Sequence, residues 1–117
     1  MTYVDAMICP VKTGKRDEYI RFAAEMAAIF KAHGAQSVVE CWGVDVPEGK
    51  VNSLHTAILR EDDEAVVFSW IKWASKGERD SAWERIMADE RMMADMNAAP
   101  FEGQRLIYGG FEMVVEA

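Results

Sequence analysis

Hydrophobic and polar positions alternate from Tyr3 to Cys9, with Val4, Ala6 and Ile8 on one face and Tyr3, Asp5, Met7 and Cys9 on the other. A period of two marks a strand. Pro10, which cannot donate to a ladder, is expected to end it. The period then changes. Tyr19, Phe22, Ala23, Met26, Ile29 and Phe30 recur at steps of three and four, one apolar stripe on a helix of about five turns. Thr13 is placed to cap that helix near Lys15, Asp17 and Glu18 suit its positive end, and His33 with Gly34 closes it. Alternation returns over Gln36 to Val46: Val39, Cys41 and Gly43 share one face, and Val38, Glu40, Trp42 and Val44 the other. Asp45 to Lys50 contains a Pro–Gly turn within a longer loop or arm. Val51 to Leu59 is ambiguous, with Leu54, Thr56 and Ile58 spaced as a short edge strand would have them.

Glu61 to Glu64 forms an acidic turn, expected to be solvated. Val66 to Trp73 is apolar on both faces and therefore fits a central strand. Ser75 and Glu78 form a capping box for a helix from Lys76 to about Met87, burying Ala82, Trp83, Ile86 and Met87. Asp89 caps a short further turn whose Met92, Met93 and Met96 fill gaps in the core. The tail, Arg105 to Val115, makes a last strand whose adjacent Gly109 and Gly110 signal a bulge or a close backbone approach.

The order strand, helix, strand, strand, helix, strand over residues 1–117 predicts a single α+β domain of ferredoxin-like β-α-β-β-α-β topology. Its antiparallel sheet runs in the order 4-1-3-2, with two helices on one face. The aliphatic set Val4, Ala6 and Ile8, with Phe111, Met113 and Val115 beside it, is expected to meet the helices. The opposite face then carries Tyr3, Asp5, Met7, Glu40, Trp42, Val44, Gly110, Glu112 and Val114. A monomer would leave part of that face as an apolar patch in water, so a two-fold homodimer, sheet against sheet, is expected.

Charge narrows the partners. Twenty acidic residues against 13 Lys and Arg give a net charge of −7, which disfavours nucleic acid and anionic membrane surfaces. No apolar run reaches membrane-spanning length, and Met1 to Asp5 lacks the layout of a secretion signal, so the expected location is cytoplasmic. Cys9 and Cys41 have no metal-ligand spacing around them, and strands one and two are not neighbours in the 4-1-3-2 order, which argues against a disulfide.

Tyr3-Val4-Asp5, His33-Gly34-Ala35, Val39-Glu40-Cys41, Asp45 to Val51, Val66 to Ile71, Met87-Ala88-Asp89, Pro100-Phe101 and, above all, Arg105 to Glu112 resemble the YbaA-like family of bacterial proteins of unknown function. The resemblance spans essentially the whole chain. It departs at Glu90, where a proline is expected, and in the Met-rich segment. It implies a dimeric α/β barrel, akin in fold to antibiotic-biosynthesis-type monooxygenases, and carries no catalytic residue over.

Candidate chemistry lies among the acids. With strand one beside strand four, Asp5 and Glu112 are expected to approach closely enough to share a proton, one acting as acid or base. Hydrogen bonding to aromatic neighbours or pairing with a cation is the structural alternative. His33, the group nearest neutrality, is a further catalytic candidate beside its capping role; His55 is expected to be exposed. Tyr3, Glu40, Trp42, Phe68 and Trp70 are candidate ligand-binding residues for a small apolar or aromatic molecule. No nucleotide motif, nucleophile elbow or metal-ligand spacing is present, so no cofactor is expected. Two functions fit: a cofactor-independent enzyme of monooxygenase or isomerase type, or a non-catalytic ligand-binding or dimeric interaction module.

Overall fold

A computed structural model describes residues 1–117. Four strands, β1 (Tyr3–Lys12), β2 (Ser37–Trp42), β3 (Glu64–Trp73) and β4 (Ile107–Glu112), alternate with the helices α1 (Arg16–Ala32), α2 (Leu54–Ala57), α3 (Lys76–Ala88) and α4 (Glu90–Asn97). The sheet order is β2-β3-β1-β4, and every pairing is antiparallel. This is the expected ferredoxin-like α+β topology. Extents of 38 × 35 × 21 Å fit one sheet and one helix layer, so one face of the sheet has no covering layer from its own chain. No helix is long and apolar enough to cross a membrane.

β1 runs through Pro10 to Lys12. Its pairing with β4 stops at Ile8, while β3 continues alongside it to Lys12. Pro10 therefore stands where β1 has one neighbour rather than two, and a missing N–H is tolerated there. α1 follows a 3-10 turn at Thr13–Lys15 and has no side-chain cap; the Thr13 hydroxyl donates instead to the Asp63 carbonyl at 3.3 Å. β2 ends at Trp42. The ambiguous segment is helix α2, not an edge strand: Ser53 and Thr56 bond each other's backbone N–H reciprocally, a capping box that outweighs the alternation. Ser75 Oγ accepts from the Glu78 N–H, and Asp89 Oδ1 accepts from Arg91 and Met92.

The two faces of the sheet are the reverse of the expectation. Tyr3, Cys9 and Val11 are buried under the helices, packed with Met26, Phe30, Tyr19 and Ala23. Val38, Met7 and Trp42 also join these clusters. Val4, Ala6, Val39, Phe68, Trp70 and Met113 line the open face instead. Alternation shows which residues share a face, but not which face the helices cover. β3 is apolar on both sides, so its pattern does not decide the matter either. Ile71 and Trp73 are fully buried on the helix side, each contributing roughly 2–3 kcal/mol over exposure. Met92 and Met96 pack against the same cluster, which gives the methionine segment its gap-filling role.

Candidate functional site

Register places Asp5 opposite Ile71 on β3 and Gly110 on β4, facing the helices. α3 brings it Arg79 and Trp83, four residues apart and so on one helix face. Arg79 Nε and Nη2 each lie 3.0 Å from Asp5 Oδ1. The indole N–H groups of Trp73 and Trp83 donate to Oδ2 at 3.0 and 3.1 Å. Hydrogen bonding to Asp5 pushes the Arg79 pKa further up, and its guanidinium covers the Tyr3 ring at 5.0 Å. A Cβ on Gly110 would come within 2.1 Å of the Tyr3 hydroxyl, so this glycine makes room for the chain's own side chains. Both oxygens of Asp5 are occupied, and α3 is thereby fixed to the sheet. Glu112 stands opposite Tyr3, exposed, with no bond to Asp5.

A second acid is arranged differently. Glu40 on the edge strand β2 pairs with Ser69 in register. Its Oε1 accepts from the Tyr19 hydroxyl of α1 and from the Ser69 hydroxyl at 3.0 Å. Its Oε2 accepts no hydrogen bond from the protein. By surface area Glu40 is exposed, yet protein crowded around its carboxyl raises the pKa, partly offset by the two hydroxyls. Its exposed surface leaves the residue within reach of a small molecule. Tyr19 is held well above the usual tyrosine range, by burial first and then by Glu40, and so remains the donor. Burial, with Glu40 adding to it, pushes the neighbouring Cys9 thiol up to about 12, far from a reactive thiolate.

The other candidates lie apart. His33 caps α1, accepts from Arg85 at its carbonyl and has its Nδ1 3.4 Å from Arg85 Nε. His55 is half-buried rather than exposed, with Nε2 2.7 Å from the Val46 carbonyl. The five proposed ligand-binding residues divide between the faces. Tyr3, Glu40 and Trp42 are on the helix side, whereas Phe68 and Trp70, ring centroids 5.8 Å apart, line an open depression of about 520 Å³ on the bare face. The acidic turn is not all solvated. Glu64 is buried and held by Arg105 through two 2.6 Å contacts, which lower its pKa to about 2. Both Cys are free, and no three His, Cys, Asp or Glu side chains gather where a metal could be held.

The sequence reading missed Tyr19 and Ser69 as site residues. A signal existed for one of them, since Ser69 interrupts an otherwise apolar central strand on its buried side.

Comparison with solved structures supports the fold. SnoaB, a cofactor-independent oxygenase from Streptomyces nogalater, superposes with a TM-score of 0.62 at 15% identity, covering 98% of this chain and 95% of that one. A putative antibiotic biosynthesis monooxygenase from Bacillus cereus gives 0.58 at 12% identity, with 99% and 96% covered. A NIPSNAP family protein from Agrobacterium tumefaciens C58 gives 0.57 at 16% identity, with 95% and 84% covered. The relation in sequence is much stronger to the uncharacterized protein YbaA of Escherichia coli K12, 46% identical over 116 residues and 99% of both chains. Residues 2–103 match a family described as a protein of unknown function, DUF1428, and the chain belongs to that family.

Proposed function

We propose that this protein is a homodimeric, cofactor-independent enzyme acting on a small apolar or aromatic molecule. The open sheet face is given to self-association and the helix-facing side to chemistry. The observation that carries this is the division of the sheet. The open depression is lined by Val4, Ala6, Val39, Phe68, Trp70 and Met113 with a polar rim, whereas Asp5, Glu40, Ser69, Tyr19 and Cys9 lie toward the helices. Of these acids, Asp5 is bonded on both oxygens and ties α3 to the sheet, whereas Glu40 keeps one carboxyl oxygen without a donor from the protein. SnoaB, of the same fold, is a cofactor-independent oxygenase, and this likeness adds support by analogy only.

Two measurements test the reading. Light scattering should give about 26 kDa, twice the 13.2 kDa chain. In amide-correlation NMR, 2-naphthol and benzoate should shift resonances around Tyr19, Glu40 and Trp42. A mass of one chain at 100 µM would remove the dimer. Shifts confined to Phe68, Trp70 and their neighbours would favour the alternative, a non-catalytic module that binds ligand on its open face.

A further inference from the structure

We propose that Glu40, anchored by Tyr19 and Ser69, is a proton-transfer site that interconverts the keto and enol forms of a small apolar or aromatic carbonyl compound. This rests on the reading that chemistry lies on the helix side, and it names the reacting atom and the substrate class.

Two observations converge on it. The first is the asymmetry of the carboxyl group. Oε1 is fixed by hydroxyls from α1 and β3, while Oε2 takes no bond from the protein on an exposed residue. A general base needs that arrangement: one oxygen sets the geometry and the other meets the substrate's proton. Asp5 is the internal contrast, with donors on both oxygens. The second is the company Glu40 keeps. Buried Tyr19 packs edge-on against Phe101 with centroids 6.1 Å apart, Phe22 lies 6.3 Å from Phe101, and Phe101 and Trp42 are half-buried against the cluster that holds Tyr19. Such aromatic neighbours suit a flat, weakly polar molecule.

In the step itself, Glu40 Oε2 takes the proton from the carbon next to the carbonyl. The pair from the broken C–H bond forms the enolate double bond, and the carbonyl π pair moves to oxygen. The protonated carboxyl returns the proton to oxygen or to another carbon of the conjugated system. Nothing is oxidised or reduced, and no co-reactant is consumed. The groups facing Glu40 are Tyr19, Ser69 and Cys9. The first two are positioning residues that also stabilise the charged form of Glu40.

The test uses 2-tetralone in D₂O, following loss of its α-proton NMR signals. Wild type should accelerate exchange over buffer, and Glu40→Gln should lose about 100-fold of that rate, the scale of one general base. Tyr19→Phe and Ser69→Ala should keep circular dichroism unchanged but move the pH midpoint of exchange upward, because each removes a donor to the carboxylate. Carbon-detected titration of Glu40 should show the same shift. No acceleration by wild type, a Glu40→Gln rate equal to wild type, or a pH midpoint unmoved in both positioning variants overturns the proposal. Resonance shifts at Glu40 with 2-tetralone but without exchange would overturn it while leaving ligand binding on the helix side intact. A monomeric mass with exchange retained would leave it standing and remove only the dimer.

Discussion

Gly109 and Gly110 are adjacent in sequence and unlike in consequence. β4 keeps uniform register through both, so neither makes a bulge. On Gly110 a Cβ would meet the Tyr3 hydroxyl at 2.1 Å and Arg79 Nη2 at 2.6 Å. Arg79 can bend away, but Tyr3 is buried. On Gly109 the nearest atoms are those of the exposed Phe111 ring, at 3.4 Å. Gly110→Ala should therefore cost about 1–3 kcal/mol in urea unfolding, as overpacking does. Gly109→Ala should stay within about 1 kcal/mol of wild type, where reduced chain entropy partly compensates. Equal losses for the two would contradict this assignment. Glu64 offers a pH test. Arg105 lowers its pKa in the fold to about 2 from an ordinary 4.5. Between those values the unfolded chain binds up to about one proton more than the folded one, so stability rises with pH across that window. The contribution is complete above about pH 4.5 and fades as pH falls toward 2. Glu64→Gln should flatten that part of the acid-unfolding curve, measured by urea midpoints at each pH, and an unchanged slope would rule the pair out as its source.

At the scale of elements, α3 packs Ala82 and Ile86 into the core, and its polar attachment to the sheet runs through one side chain of β1. Arg79 and Trp83 both end on Asp5, whereas α1 holds the sheet through Tyr19, Ala23, Met26 and Phe30. Asp5→Asn should destabilise by about 2–3 kcal/mol. That is less than the roughly 3–5 kcal/mol of a fully buried pair, because the Arg79 side chain is 24% exposed. Amide exchange should quicken in α3 before α1; uniform quickening would refute this division. The elements themselves were legible because their signals are local: period two in β1, period 3.6 in α1, and the Ser75 and Asp89 caps. The sheet order followed from the sequence of elements. Which face the helices cover was not legible, because Val4, Ala6 and Ile8 are as apolar as a core face requires, and the decision rests on contacts such as Asp5 with Arg79, 74 residues apart. The site was partly legible for the same reason. Asp5 and Glu40 stand out as acids among apolar neighbours, but their bonding partners come from other elements. Helix α2 was lost to a chance alternation of Leu54, Thr56 and Ile58.

For the whole molecule, the bare sheet face is the largest unresolved cost. Phe68 is exposed on it, Trp70 is half-buried, and Val4, Ala6, Val39 and Met113 continue the patch around an open depression. Joining two such faces would remove this surface from water at roughly 25 cal/mol per Å², and a net charge of −7 on each chain would oppose it only weakly at physiological salt. The rim ion pair of Lys72 and Glu116, 3.2 Å apart, stays clear of the apolar centre. The proposed dimer therefore has a specific point of failure. Trp70→Glu would force a carboxylate into a desolvated, apolar contact, which is far more costly than leaving it in water. Wild type should weigh as two chains at 100 µM and Trp70→Glu as one, while Arg21→Glu, on the exposed side of α1, should remain two. Exchange of 2-tetralone should survive in the Trp70→Glu monomer, because Glu40, Tyr19 and Ser69 come from one chain and lie on the other side of the sheet. If the Trp70 variant keeps its mass, the open face is not the interface. If it loses mass and exchange together, the two faces are coupled, and the division of labour between them is wrong.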